Sequence, residues 1–128
     1  MSGEELKAIA QVRLFLEMHG SARFEPVGEL VPTDSMGRAI DIRIPNRVGF
    51  RRRNDDGETE YLILPESWRT EVCAGMDPTS VARALAARGM LARSEDGRLT
   101  DKPRVPGFER PLRVYRVLPS IFEGDDPA

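Results

Sequence analysis

Residues 65–89 read PESWRTEVCAGMDPTSVARALAARG and carry the start and stop signals of two short helices. Pro65 fits the first turn of the first helix, and Gly75 stops that helix. Asp77 can cap the second helix, and Gly89 permits the left-handed residue that ends many helices. The glycine-containing turn between them has the length found in a helix-turn-helix. The side chains expected to be buried are Trp68 and Val72 on the first helix and Val81, Ala82, Leu85 and the stem of Arg88 on the second.

The segment after these two helices has the pattern of a β-wing. Residues 90–93 are predicted to form a strand that enters a polar turn at residues 95–97. Residues 98–100 are predicted to pair back across that turn. Residues 112–118 alternate apolar and polar side chains, which is typical of a half-buried strand.

A helix and a β-hairpin are predicted before the helix-turn-helix. Residues 4–19 have apolar side chains at helical spacing, namely Leu6, Ile9, Val12 and Leu16. Alternating side chains up to the turn at residues 54–57, followed by the apolar run at residues 61–64, predict the hairpin. Pairing of residues 51–53 with Glu58 and Glu60 across this hairpin is the preferred explanation of its arginine run.

The chain is therefore predicted to be one α+β domain with a winged-helix-like architecture. Its parts are expected at residues 1–20 (N-terminal helix), 21–45 (irregular connection with one short extended segment), 46–119 (hairpin, helix-turn-helix and wing) and 120–128 (acidic tail). A chain of 128 residues, 40% of them hydrophobic, suits one domain. The sequence shows neither the apolar run of a membrane span nor the features of a signal peptide, so a soluble cytoplasmic protein with no membrane partner is expected.

The residue types needed for catalysis or metal binding are scarce. Cys73 and His19 are the single cysteine and the single histidine, too few for a structural zinc site, and acyl transfer lacks its base. A buried position is expected for Cys73, and a helix-terminal role for His19. We therefore predict a protein that is not an enzyme and uses no metal and no cofactor.

Basic charge is concentrated in residues 80–119, which hold nine basic and four acidic residues although the chain has a net charge of −2. Of the 19 basic residues 17 are arginine, which suits phosphate binding, although a high-GC genome would give the same bias. Residues 101–111, here called the basic loop, are predicted to be stiff and exposed because they contain three prolines. In helix-turn-helix proteins the second helix enters the major groove while basic side chains hold phosphates. The residues predicted to bind nucleic acid are Thr79, Ser80, Arg83, Arg98, Lys102, Arg104, Arg110 and Arg113.

Two functions fit this pattern. The first is an accessory nucleic-acid-binding domain with DNA as its partner. Backbone contacts should prevail over base readout, because Ala86 and Ala87, which are expected on the exposed side of the second helix, offer no hydrogen bonds to bases. The alternative is a protein-docking or dimerisation module, with a homo-oligomer as one form. It predicts that the arginines pair with acids of the same domain and that an apolar patch is exposed around Met76, Met90 or Phe108.

Several stretches resemble a known family. These are QVR (11–13), HGSARF (19–24), RVGFRR (47–52), YLILPESWRTEVCAGMDP (61–78), VARALAARG (81–89), RVPG (104–107) and RVYRV (113–117). They are similar to the C-terminal end of a domain-of-unknown-function family of P-loop proteins. Phages, plasmids and integrating elements encode its members, which are described as primase-like or helicase-like. This chain has no phosphate-binding Gly-x-x-x-x-Gly-Lys-Ser/Thr motif, so the resemblance implies an accessory piece of a mobile-element DNA-processing protein, with the P-loop ATPase portion as a further partner.

Overall fold

A computed structural model describes residues 3–105 and 108–123 of the protein. Pro106 and Gly107 of the basic loop and residues 124–128 of the predicted acidic tail lie outside the described residues. The described chain folds into three helices and a five-stranded mixed sheet, which confirms the predicted α+β class.

The first helix, α1 (Gly3–His19), matches its prediction. Ala8, Ile9, Val12 and Leu16 are buried at helical spacing, and Leu16 accepts a hydrogen bond from the backbone N–H of Gly20 just past the helix end. Leu6 was predicted to join this buried stripe. It is instead 48% exposed, because the helix turns its side chain away from the sheet.

Both helices of the predicted helix-turn-helix are present. The first is α2 (Pro65–Ser67), which continues as a π-helical turn (Trp68–Val72), and the second is α3 (Pro78–Ala87). The indole N–H of Trp68 donates to the carbonyl of Pro78 at 3.1 Å, which ties the two together. Gly75 in the turn has φ of 82°, a conformation that favours glycine. The buried side of α3 contains Ala84 in place of the stem of Arg88, which is exposed.

Five strands form the sheet in the spatial order β1-β2-β3-β5-β4. Their bounds are β1 (Phe24–Pro26), β2 (Gly49–Arg53), β3 (Thr59–Ile63), β4 (Leu91–Ala92) and β5 (Tyr115–Val117). The β2–β3 hairpin was predicted, and β1 is the short extended segment expected in the connection. The parallel pairing of β1 with β2 was not predicted; all other pairs are antiparallel.

The wing differs from its prediction in its pairing. Residues 98–100 form no strand, because β4 pairs with β5 and the chain returns only at Asp101, which forms an isolated bridge with Val114. The last strand is shorter than predicted, since its continuous ladder begins at Tyr115. Residues 120–122 do not belong to a tail, because a 3-10 turn (Pro119–Phe122) buries Ile121.

The sheet carries a hydrophobic cluster on each face. On the first face, α1, the π turn and α3 pack around Ile63, Leu91 and Val117. On the second face lie Phe50, Leu62 and Val114, covered by side chains of the basic loop. Val105 and Phe108 of the basic loop are thus packed against the sheet on the side opposite α3.

Candidate nucleic-acid interface

The outer side of α3 presents the predicted residues Thr79, Ser80 and Arg83, all exposed. Arg83 lies on a groove of about 720 Å³ between α1 and α3, which is also lined by Lys7 and by the carboxylates of Glu4, Glu5 and Asp77. Acidic side chains would repel a phosphate backbone here. The groove therefore has mixed charge, which is a poor surface for DNA.

Ser80 forms hydrogen bonds with the residue that caps the start of α3. Its backbone N–H and hydroxyl both donate to Oδ2 of Asp77, at 2.9 and 2.7 Å. These hydrogen bonds, together with the positive charge of Arg83, lower the pKa of Asp77 below its usual value. Ser80 is thus a partner of the helix cap, and the cap keeps a negative charge beside Arg83.

Two arginines predicted to bind nucleic acid have partners within the domain, Arg98 in the turn and Arg113 near the base of the loop. Arg98 pairs with Asp96 at 3.1 Å, and both side chains are exposed. The hydrogen bond from Ser94 and the contacts of Arg98 lower the pKa of Asp96. Arg113 is half-buried and donates to the hydroxyl of Thr100 at 2.8 Å.

The basic loop holds the remaining three predicted residues, Lys102, Arg104 and Arg110. All three are exposed, and within the described chain their side chains form no ion pair and no hydrogen bond. Val105 is buried against the second face, and the ring of Phe108 packs edge-on against Phe50 with centroids 4.7 Å apart. Val105 and Phe108 thus pack the loop against the sheet, while its three cations remain exposed to solvent.

A buried carboxylate fastens the base of this loop. Glu60 is 1% exposed, and its Oε1 accepts from Nε of Arg52 at 2.6 Å and from Nε of Arg116 at 3.0 Å. Arg116 also pairs with Asp101 at 3.4 Å, and Arg52 donates to the carbonyl of Arg104 at 3.3 Å. This network joins three strands, β2, β3 and β5, to both ends of residues 101–104.

The pairing of Arg52 with Glu60 confirms part of the cross-strand prediction, whereas Arg51 and Arg53 lie opposite Tyr61 and Thr59. The role of Arg116 was missed. The alternation of Arg116 with the buried Val117 could have indicated this role. Once β5 pairs with β3, this alternation places Arg116 on the same face of the sheet as Glu60.

The second face brings the hairpin arginines close to the basic loop. Arg47 lies 4.6 Å from the centroid of the Phe50 ring and pairs with Glu25. Arg52 contacts the loop backbone. The basic loop therefore lies on the same face of the sheet as Arg47 and Arg52. Thr79, Ser80 and Arg83 lie on the other side of the sheet.

The apolar patch expected around Met76, Met90 or Phe108 is not formed. Met76 and Met90 pack against the first cluster and Phe108 against the second. Ala86, expected to be exposed, is half-buried beside the same first cluster.

The single cysteine and the single histidine both pack against neighbouring side chains. Cys73 is buried, and this burial raises the pKa of its thiol to about 12, so little thiolate forms near neutral pH. His19 packs against Phe15 with ring centroids 4.7 Å apart. In residues 3–105 and 108–123, no group of three or more His, Cys, Asp or Glu side chains is placed to hold a metal ion. No helix in these same ranges is long and apolar enough to cross a membrane.

Comparison with models of known protein families and with curated proteins gives no match for this chain. The resemblance to mobile-element P-loop proteins thus stays a prediction.

Proposed function

We propose that the protein is a non-catalytic, winged-helix-like domain that holds the DNA backbone through the cations of its basic loop. Lys102, Arg104 and Arg110 carry this proposal, because they are exposed cations free of ion pairs in the described chain and lie on one anchored loop. Basic side chains of this kind contact phosphates and add affinity without reading sequence.

The order of elements supports the winged-helix part of the proposal. After α1, and with β1 and β2 inserted, the chain runs β3, α2, α3, β4 and β5. In the sheet, β5 lies between β3 and β4, and both pairs are antiparallel. A winged helix has this connectivity, and its wing is the segment between the last two strands. The basic loop lies in that segment.

The mode of binding follows from where the cations lie. Base readout through α3 is disfavoured, because the groove of Arg83 holds three carboxylates against two cations, Arg83 and Lys7. Three phosphate contacts give a weak, sequence-independent interaction, with a dissociation constant on the order of 10⁻⁴ to 10⁻⁶ M near physiological salt.

The test is fluorescence anisotropy of a labelled DNA duplex, and of the matching single strand, at low salt. The loop variant changes Lys102, Arg104 and Arg110 to Gln. The matched control changes Arg43, Arg53 and Arg83 to Gln, which removes the same charge from exposed arginines elsewhere. We expect the loop variant to lose at least tenfold in affinity and the control to lose much less.

Equal losses in both triple variants would show that only net charge matters, and the loop assignment would be abandoned. Absence of binding by the unmodified protein to either DNA would reject the nucleic-acid function altogether. A docking role is then the second candidate. It is favoured by the exposed apolar side chains of α1, which include Leu14 and Met18.

A further inference from the structure

Residues 40–44 read IDIRI and have the sequence pattern of a strand, yet they belong to no strand of the described chain. Three β-branched side chains alternate with one acidic and one basic residue, which is typical of a half-buried strand. Ile40 and Ile42 are nevertheless 44% and 37% exposed. We call residues 40–44 the isoleucine segment.

One edge of the isoleucine segment has free backbone groups. The N–H of Ile40 donates to the carbonyl of Pro32 at 2.9 Å, next to a small antiparallel bridge. In an extended chain the backbone groups of successive residues point to opposite edges, so those of Asp41 and Arg43 belong to the edge away from Pro32. Within residues 3–105 and 108–123, the N–H and C=O groups of Asp41 and Arg43 form no hydrogen bond. A free edge of this kind is a template for another strand.

The edge strand β1 of the same copy does not pair with this segment. Residues of β1 and of the isoleucine segment line one groove of about 330 Å³, so the two are neighbours without a backbone hydrogen bond between them in the described chain. Pro26 in β1 has no N–H to donate to a further strand, which protects this edge of the sheet. A strand that pairs with the isoleucine segment therefore has to come from another molecule.

The isoleucine segment is complementary to itself in one antiparallel register. When two copies pair with Ile42 opposite Ile42, Asp41 of each copy lies directly opposite Arg43 of the other. Both of these side chains point to the same face of the ribbon, because side chains alternate between faces along a strand. On the other face, Ile40 lies opposite Ile44 on each side of the central pair. One face of the ribbon thus carries opposite-charge pairs and the other carries only isoleucine pairs.

Other arrangements of two copies lose this match. Parallel pairing in register places Asp41 beside Asp41 and Arg43 beside Arg43, which is unfavourable. An antiparallel register shifted by two residues brings like charges opposite each other at the centre. A shift by one residue turns isoleucines and charged side chains toward the same face. The charges therefore select a single direction and a single register, and a second copy supplies the matching charges by symmetry.

We propose that a second copy of this chain pairs with the isoleucine segment, in an antiparallel two-stranded ribbon with a two-fold axis at Ile42. The free backbone groups of Asp41 in each copy then bond to those of Arg43 in the other, and Ile42 occupies the closely spaced, non-hydrogen-bonded position. Five residues from each copy make a small interface, so we expect a weak dimer, with a dissociation constant on the order of 10⁻⁴ M. The segment shares no residue with the basic loop, so the dimer does not depend on the proposed DNA binding.

Disulfide trapping at near-millimolar protein concentration tests the register. Cα atoms at a non-hydrogen-bonded antiparallel pair are about 4.5 Å apart, a distance that a disulfide can bridge. With oxidised glutathione as oxidant, Ile42→Cys should therefore form a cross-linked dimer at least tenfold faster than Ile40→Cys. Ile40→Cys is the matched control, because Ile40 is exposed in the same segment but would lie about 13 Å from its own copy along the ribbon. The natural Cys73 is buried in both variants.

Sedimentation equilibrium of the full chain, from low micromolar to near-millimolar concentration, tests the dimer itself. Asp41→Arg and Arg43→Asp should each weaken it about tenfold, because both opposite-charge pairs become like-charge pairs. The double variant should restore the affinity. Ile42→Lys should abolish the dimer, whereas the control Leu14→Lys should not, because Leu14 is an exposed apolar residue on α1. Circular dichroism should show every variant folded, since these side chains are at the surface.

Three results would overturn the proposal. The first is a monomer at every concentration. The second is a dimer that survives Ile42→Lys, or one in which the double charge variant is no better than the single ones. The third is equal cross-linking of Ile42→Cys and Ile40→Cys. A failure of DNA binding would leave this proposal standing, because sedimentation and cross-linking are measured without DNA.

Discussion

Replacing Glu60 by Gln should destabilise the fold and loosen the basic loop. The carboxylate is 1% exposed and accepts charge-assisted hydrogen bonds from Arg52 and Arg116. Such bonds contribute about 1.5 to 3 kcal/mol each. The arginines are 21% and 29% exposed, so water screens part of this energy and can solvate them after the change. Gln also keeps one acceptor oxygen. We therefore expect the free energy of unfolding to fall by about 2 to 3 kcal/mol.

Urea denaturation, followed by the fluorescence of Trp68, measures this loss. Glu58→Gln is the matched control, because Glu58 is an exposed carboxylate in the same hairpin and forms no ion pair in the described chain. Its effect should stay within about 0.5 kcal/mol. Similar small effects from both substitutions would refute the view that Glu60 fastens the loop base through two arginines.

Three further predictions concern separate parts of the fold. Asp77→Ala should lower the urea midpoint at neutral pH, because the cap bonds to Ser80 are lost. Because the pKa of Asp77 is lowered in the folded state, its contribution to stability is complete above about pH 4 and disappears as pH falls through the folded-state pKa. The urea midpoints of the variant and the unmodified protein should therefore converge in acid. A constant difference between the two midpoints down to the lowest pH would contradict this. Cys73 should react with a thiol reagent at mildly alkaline pH only as fast as the protein opens, since its thiol is buried and its pKa is about 12; rapid labelling without denaturant would show otherwise. Gly49→Ala should cost at least about 2 kcal/mol in urea denaturation, because an added Cβ would lie 2.0 Å from the backbone oxygen of Leu62; an unchanged midpoint would disprove that clash.

Local sequence signals were sufficient for the helices and the hairpin. The cap at Asp77 acts within one turn of chain, and Gly75 has a positive φ in the turn that follows the π-helical turn. The hairpin likewise depends on a short turn between two apolar runs. Patterns of this kind involve residues that are close in sequence, so they can be recognised without knowing the rest of the fold.

The parts that were missed depend on contacts between distant residues. The parallel pairing of Phe24 with Gly49 joins segments separated by an irregular connection, and no local pattern sets its register. The path of the basic loop is decided by Phe108 packing on Phe50. Composition predicted that this loop would be exposed and basic, which holds for its cations, but it could not show that the loop crosses the face of the sheet opposite α3.

The candidate site was correspondingly predicted only in part. The exposure of Thr79, Ser80 and Arg83 follows from helical spacing, and the structure confirms it. Their separation from the loop cations depends on which face each element covers, which the sequence alone does not reveal. The three carboxylates on the groove of Arg83 come from two elements far apart in the chain, and this is why mixed charge there was not foreseen.

The salt dependence of DNA affinity tests the central claim most directly. Each phosphate contact by a basic side chain contributes a slope of about −0.9 to the logarithm of the affinity against the logarithm of the salt concentration. Three loop cations therefore predict a slope of about −2.7 for duplex DNA, falling close to zero in the variant with Gln at positions 102, 104 and 110. A slope that is unchanged in this variant would contradict the account, because the phosphate contacts would then lie elsewhere on the protein.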